Sequence, residues 1–200
     1  FTEQWLNEAA VRAYLLESNY TDDRGLRMTD AVREIAGSKK FARSEAIALY
    51  ERGGIQLDYR YYYMKAEQSY TEALELFRRL ASRLWQARCI NRLGDIAFRT
   101  SDYKTADARF HEALPLYQRA GSTFGEANCT KRFGDLSLLA KDYGKAETLY
   151  QQALPLYRKI GSPMGVANCQ KRLGDISFET GANPAARERY EQALALYPQA

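Results

Sequence analysis

The chain has 200 residues, of which 46% are hydrophobic and 27% charged, a composition typical of a folded globular protein rather than a disordered one. Its 29 basic and 25 acidic side chains give a net charge of +4, too balanced to indicate the concentrated basic surface that nucleic acid usually requires. The apolar runs are short and interrupted by charges, so the sequence predicts neither a transmembrane helix nor a signal peptide.

Residues 1–40 form an N-terminal segment that does not align with the rest of the chain. Residues 3–17 have the spacing of a helix with one apolar face, residues 19–25 have the composition of a loop, and residues 28–35 predict a second short helix. The predicted apolar face consists of Trp5, Leu6, Ala9, Ala13 and Leu16. We interpret this segment as a decayed repeat or a helical cap.

From residue 41 onward the sequence repeats every forty residues. The segment ANCTKRFGD at 127–135 recurs at 167–175 as ANCQKRLGD, and 87–95 reads ARCINRLGD. A fixed period of this length is typical of a solenoid, in which each unit buries its apolar face against its neighbours. The period predicts four repeats, at about 44–80, 82–120, 122–160 and 162–200.

Each repeat has the pattern of two helices. Ser82, Ser122 and Ser162 are placed to cap the first helix, and Asp102 and Asp142 to cap the second. Pro163 falls at the first helical position, which proline favours. Two further prolines lie inside second helices and predict a kink or an early helix end there. These are Pro115 and Pro155.

The small and aromatic residues follow the signature of a known family. The positions are Leu93-Gly94, Tyr103, Ala106, Phe110 and Ala113, then Phe133-Gly134, Tyr143, Ala146, Tyr150 and Ala153, then Leu173-Gly174, Ala186, Tyr190 and Ala193. They resemble a tetratricopeptide-repeat array, in the variant with forty rather than thirty-four residues per repeat. The resemblance implies an all-α fold, a right-handed α-solenoid of antiparallel helix pairs. Gly53-Gly54 and Asn183-Pro184 depart from the pattern and weaken the first and last repeats.

In such arrays the first helices line a concave groove, so the residues of those helices that are left over from packing are the candidate binding site. Each repeat offers two amides or bases, an aspartate and an apolar residue on one face, which suits hydrogen bonding to a peptide with apolar anchors. We call this set the ladder, and it consists of Arg88, Asn91, Asp95 and Phe98, then Asn128, Lys131, Asp135 and Leu138, then Asn168, Lys171, Asp175 and Phe178.

A purely structural interpretation of this ladder stays open. Arginines 92, 132 and 172 stand three residues before the three aspartates, and such pairs stabilise their own helix by a few tenths of a kcal/mol. Repeats copied by duplication would keep these pairs without any ligand.

Catalysis and metal binding have little support in the sequence. The only histidine is His111, and Cys89, Cys129 and Cys169 occupy equivalent positions of successive repeats, too far apart for a disulfide or a shared metal. We expect buried free thiols, a reducing cytoplasmic location, no cofactor and no metal. The three aspartates lie one repeat apart, beyond the roughly 5–9.5 Å useful for a catalytic pair. The sequence therefore predicts that the chain is not an enzyme.

These features predict a protein–protein interaction module that binds a protein or peptide, another domain of the same chain included, and no membrane. Longer repeats of this kind resemble those in sensor and adaptor arms of multidomain signalling proteins, which implies a regulatory arm. Two alternatives stay open: an arm that binds single-stranded RNA or DNA, and a structural spacer that self-associates.

Two further features bear on these alternatives. Tyr59, Tyr61, Tyr62 and Tyr63 cluster around Arg60 and could stack on bases, although we favour Tyr63 as a packing residue and the others as a cover for one end. The chain starts without methionine and stops after a second helix, which indicates a fragment. We therefore expect Tyr190, Leu194 and Tyr197 of the last repeat to be partly exposed.

Overall fold

The computed structural model describes residues 2–19, 23–59 and 61–197, except for the side chains of residues 15–19. Over these residues the chain forms ten α-helices and no strand, which confirms the all-α prediction. The helices are α1 (Glu3–Asn19), α2 (Arg24–Ser38), α3 (Ala42–Asp58), α4 (Tyr63–Arg79), α5 (Arg83–Arg99), α6 (Tyr103–Arg119), α7 (Thr123–Leu139), α8 (Tyr143–Lys159), α9 (Pro163–Glu179) and α10 (Asn183–Leu196).

The forty-residue period holds for every second helix and fails once among the first helices. Helices α4, α6, α8 and α10 begin exactly one period apart, whereas α3 begins 41 residues before α5. The connection after α3 therefore has one extra residue. As a result Gly53, and not Gly54, takes the position of Gly94: an added Cβ at Gly53 would lie 2.9 Å from the ring of Tyr70. The first repeat therefore keeps the close helix crossing, although Gly53-Gly54 departs from the family pattern.

The helix ends follow the predicted caps with one exception. Ser122 and Ser162 accept hydrogen bonds from Gly125 N and Gly165 N, each at 3.3 Å. Asp142 caps α8 in the same way, since its carboxylate accepts a hydrogen bond at 3.1 Å from the backbone N–H three residues on. Ser82 stands at the cap position of α5 but makes no side-chain cap bond.

The two internal prolines do not end their helices early, so that part of the prediction is wrong. Helix α6 continues through Pro115 to Arg119, and α8 continues through Pro155 to Lys159. Each proline lacks the N–H for one intrahelical bond, but the following turn keeps its helical form.

The serine caps provide a matched test of helix capping. Replacing Ser122 by alanine removes a cap bond and is expected to lower the free energy of unfolding by about 1 kcal/mol. Replacing Ser82 by alanine removes no cap bond and is expected to change it by less than about 0.5 kcal/mol. Urea denaturation followed by circular dichroism measures both. Equal losses in the two variants would show that the cap bond contributes nothing.

The helices fall into two compact units, residues 1–113 and 114–200, with the boundary inside α6. In the first unit α1, α2 and α3 pack on one another, α3 packs on α4, and α4 on α5. Leu6, Ala9 and Ala13 are buried as predicted, but Trp5 is 46% exposed and does not join their face. The side chain of Leu16 lies outside the described residues. Both N-terminal helices extend into the predicted loop, since α1 ends at Asn19 and α2 begins at Arg24.

In the second unit α7 packs on α8, α8 on α9, and α9 on α10. Its core combines small residues and aromatic rings: Ala127, Ala146, Tyr150, Ala153, Tyr157, Cys169 and Leu173 are all buried. Cys89, Cys129 and Cys169 are free and buried, as the repeat positions predict. None of the described helices is long and apolar enough to cross a membrane.

Candidate functional site

The predicted ladder contains a buried ionic cluster in the second unit, centred on Asp135. The side chain of Asp135 is 1% exposed. Its Oδ1 accepts a hydrogen bond from the Tyr150 hydroxyl at 2.9 Å and lies 3.3 Å from Nε of Arg172. Its Oδ2 lies 2.7 Å from Nζ of Lys131 and 3.2 Å from Arg132. One carboxylate thus holds three cations and a hydroxyl from three helices.

The charges around Asp135 determine its ionisation. Burial alone would raise the pKa of this carboxyl, but Lys131, Arg132 and Arg172 outweigh burial and hold the pKa below its ordinary value. The cluster also fixes Lys131, whose side chain is only 14% exposed. Lys131 is therefore not the free surface lysine that the sequence pattern predicts, because its ammonium group is engaged by a buried carboxylate.

Arg172 connects successive repeats of the second unit. Besides Asp135 it contacts Oδ2 of Asp175 at 3.2 Å, and Oδ1 of Asp175 accepts a hydrogen bond from the Tyr190 hydroxyl at 3.0 Å. The three intrahelical arginine–aspartate pairs of the structural interpretation are all present, at 3.7 Å for Arg92–Asp95 and 3.2 Å for the two later pairs. Arg172 also bridges to Asp135 on the preceding first helix, a contact that the sequence pattern did not indicate.

Two of the three predicted asparagines, Asn128 and Asn168, hold helix pairs together. Oδ1 of Asn128 accepts a hydrogen bond from Tyr157 at 2.7 Å, and Oδ1 of Asn168 accepts one from Tyr197 at 3.0 Å. Both bonds join residues 29 positions apart, from a first helix to the end of the following second helix. The amide oxygens of this part of the ladder are therefore used inside the fold.

Three of the predicted residues line one depression at the C-terminal ends of α7 and α9. Leu138, Asp175 and Phe178 border a cavity of about 390 Å³, together with Leu139, Lys141, Tyr143, Glu179 and Tyr190. Phe178 is 61% exposed, whereas Leu138 packs partly against the core. Lys171 is exposed on the same helix as Phe178. We call this feature the Leu138 depression. It offers apolar side chains and both signs of charge within one small volume.

In the first unit the corresponding residues present less surface. Asn91 and Asp95 are 8% and 4% exposed. The guanidinium of Arg88 lies 4.6 Å from the ring centre of Trp85, and Phe98 packs edge-on against Tyr103 at 5.7 Å. The predicted face of this unit is therefore largely occupied by contacts within the fold.

The sequence pattern did not single out Lys141 and Tyr143 as binding residues. Lys141 stands in the turn between α7 and α8, at a position that holds Ser101 and Gly181 in the neighbouring repeats. Because the residue type changes from repeat to repeat, the periodicity gives no signal there. Tyr143 shares its position with Tyr103, and the sequence assigns both to the family signature rather than to the candidate site.

The tyrosine cluster of the first unit is partly exposed. Tyr61 and Tyr62 are 64% and 47% exposed. Tyr59 packs against Tyr14 with ring centres 5.3 Å apart. Tyr63 is half-buried at the start of α4, and Arg60 lies outside the described residues. The cluster thus presents two tyrosine rings to solvent.

Two features limit the chemistry that this part of the molecule could perform. Among the described residues no group of histidine, cysteine, aspartate or glutamate side chains is arranged to hold a metal ion. Burial raises the pKa of the Cys169 thiol to about 12, which keeps it protonated and unreactive near neutral pH. What the depression offers is hydrogen bonding, charge and apolar contact.

Paired helices of 14 to 17 residues with small-residue crossings define a helical-repeat protein. A tetratricopeptide-repeat family model matches residues 63–119 and 126–199, more than half of the chain. The chain belongs to the tetratricopeptide-repeat family, and its solenoid of antiparallel helix pairs is the fold class of that family. No curated protein matches its sequence significantly.

Solved structures extend the likeness to the whole fold. The chain is similar to apo RapI, with a TM-score of 0.71 at 12% identity over 97% of this chain and 82% of that one. It is also similar to a Rap protein complexed with Competence and Sporulation Factor. The TM-score is 0.73 at 16% identity, over 98% of this chain and 61% of that one. A third similar structure is aspartyl phosphate phosphatase F from Bacillus subtilis. Its TM-score is 0.80 at 11% identity, over 92% of this chain and 48% of that one. At these identities the likeness shows the fold alone.

Proposed function

We propose that the chain is a protein-interaction module whose first-helix face binds a peptide or protein segment, with its principal contacts at the Leu138 depression. The observation that carries this proposal is the meeting of Leu138, Asp175 and Phe178, three residues selected from sequence alone, around one cavity of about 390 Å³. A mostly apolar cavity with a few convergent polar groups is the usual form of a binding site.

The lining of the depression sets the chemistry of the ligand. Phe178 and Tyr143 accept an apolar or aromatic anchor side chain, the kind that dominates interface energies. Lys141 of the lining, and Lys171, which is exposed on α9 outside the lining, favour acidic residues or a terminal carboxylate beside that anchor. Asp175, already bound to Arg172, orients a donor N–H on the ligand rather than a second full charge. The ligand is therefore an extended or helical segment with one apolar anchor and flanking acidic groups.

The wider role that we propose is regulatory. The chain would be the partner-sensing arm of a larger multidomain signalling protein in the cytoplasm, without catalytic activity of its own. Support comes from the Rap protein of similar fold that is complexed with Competence and Sporulation Factor. The three buried free thiols suit a reducing compartment.

Charge reversal at the exposed lysines tests the proposed site. A peptide selected against the chain from a phage-displayed random library is labelled, and its affinity is measured by fluorescence anisotropy. Replacing Lys141 and Lys171 together by glutamate is expected to weaken binding about tenfold or more, because each lost contact to a charged group costs about 1.5–3 kcal/mol. Both side chains are exposed, so the helical circular-dichroism signal should stay unchanged.

The control is Lys145→Glu, which makes one such charge reversal at an exposed position of α8 that does not line the depression. Affinity equal to wild type in this control, together with loss in the double variant, supports the site. Equal affinity in all three proteins would exclude the depression.

The nucleic-acid alternative rests on the exposed rings of Tyr61 and Tyr62. It predicts affinity for a generic single-stranded RNA that falls steeply with salt and is lost in the Tyr61→Ala, Tyr62→Ala double variant. That outcome, in place of peptide binding, would overturn the proposal.

A further inference from the structure

The first unit contains a cleft that none of the ladder residues lines. It is formed by residues of α4, the C-terminal half of α5 and the first two turns of α6, and its volume is about 230 Å³. We call it the α4–α6 cleft. All of its described lining lies within the first unit.

Met64 of this cleft is the most exposed large hydrophobic side chain among the described residues, at 85%. Leu194 follows at 73% and, with the half-buried Tyr190 and Tyr197, confirms the exposure predicted for the last repeat. Met64 belongs neither to the family signature nor to the ladder. Its polarisable thioether is available for contact with a ligand in the cleft.

The floor of the cleft is common to the repeats, whereas its walls are not. Leu93 and Ile96 form the apolar floor, and the same residue types recur two periods later in the second unit. The walls carry Met64, Thr71 and Asp102, where the corresponding positions of the second unit hold Gly144, Gln151 and Ala182. The packing of the repeat therefore does not require these wall residues.

The polar groups of the walls mainly accept hydrogen bonds. An ionised carboxylate only accepts, and the walls carry two, those of Glu67 and Asp102. The Thr71 hydroxyl donates its hydrogen to the backbone oxygen of Glu67 at 2.8 Å, and the Thr100 hydroxyl donates to the oxygen of Ile96 at 3.0 Å. Each hydroxyl thus keeps its lone pairs for a ligand, so the walls favour a group that only donates.

The charge of the cleft also favours a cation. Arg109 is the one cation of the described lining, and its Nη1 lies 3.0 Å from the carboxylate of Glu112. Because Glu112 balances Arg109, the carboxylates of Glu67 and Asp102 give the lining an excess of negative charge. Such a lining attracts a cationic group and repels a phosphate.

We propose that the α4–α6 cleft binds an arginine side chain presented by a segment of a partner protein. A guanidinium offers five N–H donors and no acceptor, which matches the walls better than the three donors of an ammonium group. Its methylene stem lies along Leu93 and Ile96, and the ring of Tyr63 provides a cation–π contact.

The size of the cleft fits one side chain. Its volume of about 230 Å³ is below the roughly 300–1,000 Å³ of sites for whole small molecules. A free amino acid would bring an α-carboxylate, which the acidic lining repels, so the arginine belongs to a protein chain. The inference goes beyond the proposed function, because no residue of the Leu138 depression lines this cleft.

The methionine methyl groups provide the test by NMR, because the chain has three methionines and Met64 is the one in the described lining. The whole chain, isotope-labelled at these methyl groups, is titrated with Nα-acetyl-arginine methylamide, which mimics an arginine within a protein chain. We expect the Met64 signal to shift saturably at millimolar concentrations, since the ligand is small. The signals of Met28 and Met164 should stay in place.

The same titration with the citrulline derivative tests the charge of the ligand. Citrulline has nearly the shape of arginine but is neutral, and we expect it to bind about tenfold more weakly or less. Equal binding of the two derivatives would overturn the proposal. So would equal shifts of all three methionine signals, because binding would then have no preference for the cleft.

Glu67→Gln and Asp102→Asn test the walls, and asparagine can still cap α6 in place of Asp102. Each variant is expected to weaken binding several-fold, and the double variant to abolish it. Glu75→Gln is the matched control, the same change at an exposed residue of α4 that does not line the cleft. Its affinity should equal that of wild type. All three side chains are exposed, so the helical circular-dichroism signal should stay unchanged.

Three further outcomes would overturn the proposal. Binding that survives the double variant would place the arginine elsewhere. A lysine derivative that binds as tightly as the arginine derivative would show that the cleft selects charge and not a guanidinium. Tighter binding of free arginine than of the capped derivative would make the occupant an amino acid and not a protein segment.

Discussion

Replacing Gly165 by leucine is expected to lower the free energy of unfolding by about 3 kcal/mol, in the upper part of the range for an overpacked core. An added Cβ at this position would lie 2.2 Å from Cδ1 of Tyr157. The tyrosine ring is 1% exposed, and its hydroxyl is held by Asn128 at 2.7 Å, so the ring has no room to retreat. Either α9 must move away from α8 or the hydrogen bond must break.

Gly144→Leu is the control for this substitution. An added Cβ at Gly144 meets nothing within 4 Å, and the residue is exposed in the first turn of α8. Leucine there is expected to stabilise the chain by about 0.5–1 kcal/mol, because glycine is the poorer helix former. Urea denaturation followed by circular dichroism gives both values. A loss for Gly144→Leu as large as that for Gly165→Leu would contradict the steric explanation.

The sequence predicts the helices well because the residues that define them recur in successive repeats. Small residues at crossings, aromatic rings between helices and polar caps recur in phase, and each recurrence confirms the others. The repeated pattern does not predict the one-residue shift of α3. Gly53 and Gly54 are adjacent, so either can supply the close approach, and only the packing of Tyr70 on Gly53 decides between them.

The candidate site was predicted less well because the period indicates which face of a helix a residue lies on, but not how deeply its side chain is buried. Lys131 and Lys171 occupy the same position of successive repeats, yet the first is nearly buried and the second exposed. The difference arises from the neighbouring helix: α9 lies beside Lys131 and brings Arg172 to the same carboxylate. Such contacts between repeats depend on which helix follows, and a pattern within one repeat does not contain that information.

Asp135→Asn is the second substitution with a large expected effect, a loss of about 3–5 kcal/mol in the free energy of unfolding. The asparagine keeps the shape of the side chain but removes the one carboxylate charge that Lys131, Arg132 and Arg172 share. Removing one partner of a buried ionic cluster costs more than the cluster contributes, because the remaining cations, whose side chains are 14–39% exposed, stay partly desolvated. Denaturation at neutral pH measures the loss.

The control is Asp175→Asn, which removes the equivalent carboxylate where it is 27% exposed and contacts one arginine. Water can solvate the charges that remain there, so the loss should be smaller, nearer the 0–1 kcal/mol of a surface ion pair. Equal losses at the two positions would mean that burial of Asp135 does not govern the energy of the cluster.

The effect of Asp135 also has a defined dependence on pH. Its pKa is lower in the folded chain than the ordinary value of about 3.9 for an unfolded aspartate. The unfolded state therefore binds the proton more readily, and the stabilisation is fully present above the unfolded pKa and is lost as pH falls through the folded one. The difference between wild type and Asp135→Asn should be largest near neutral pH and shrink below about pH 4. A difference that stays constant into that acid range would show that the asparagine acts through packing and not through charge.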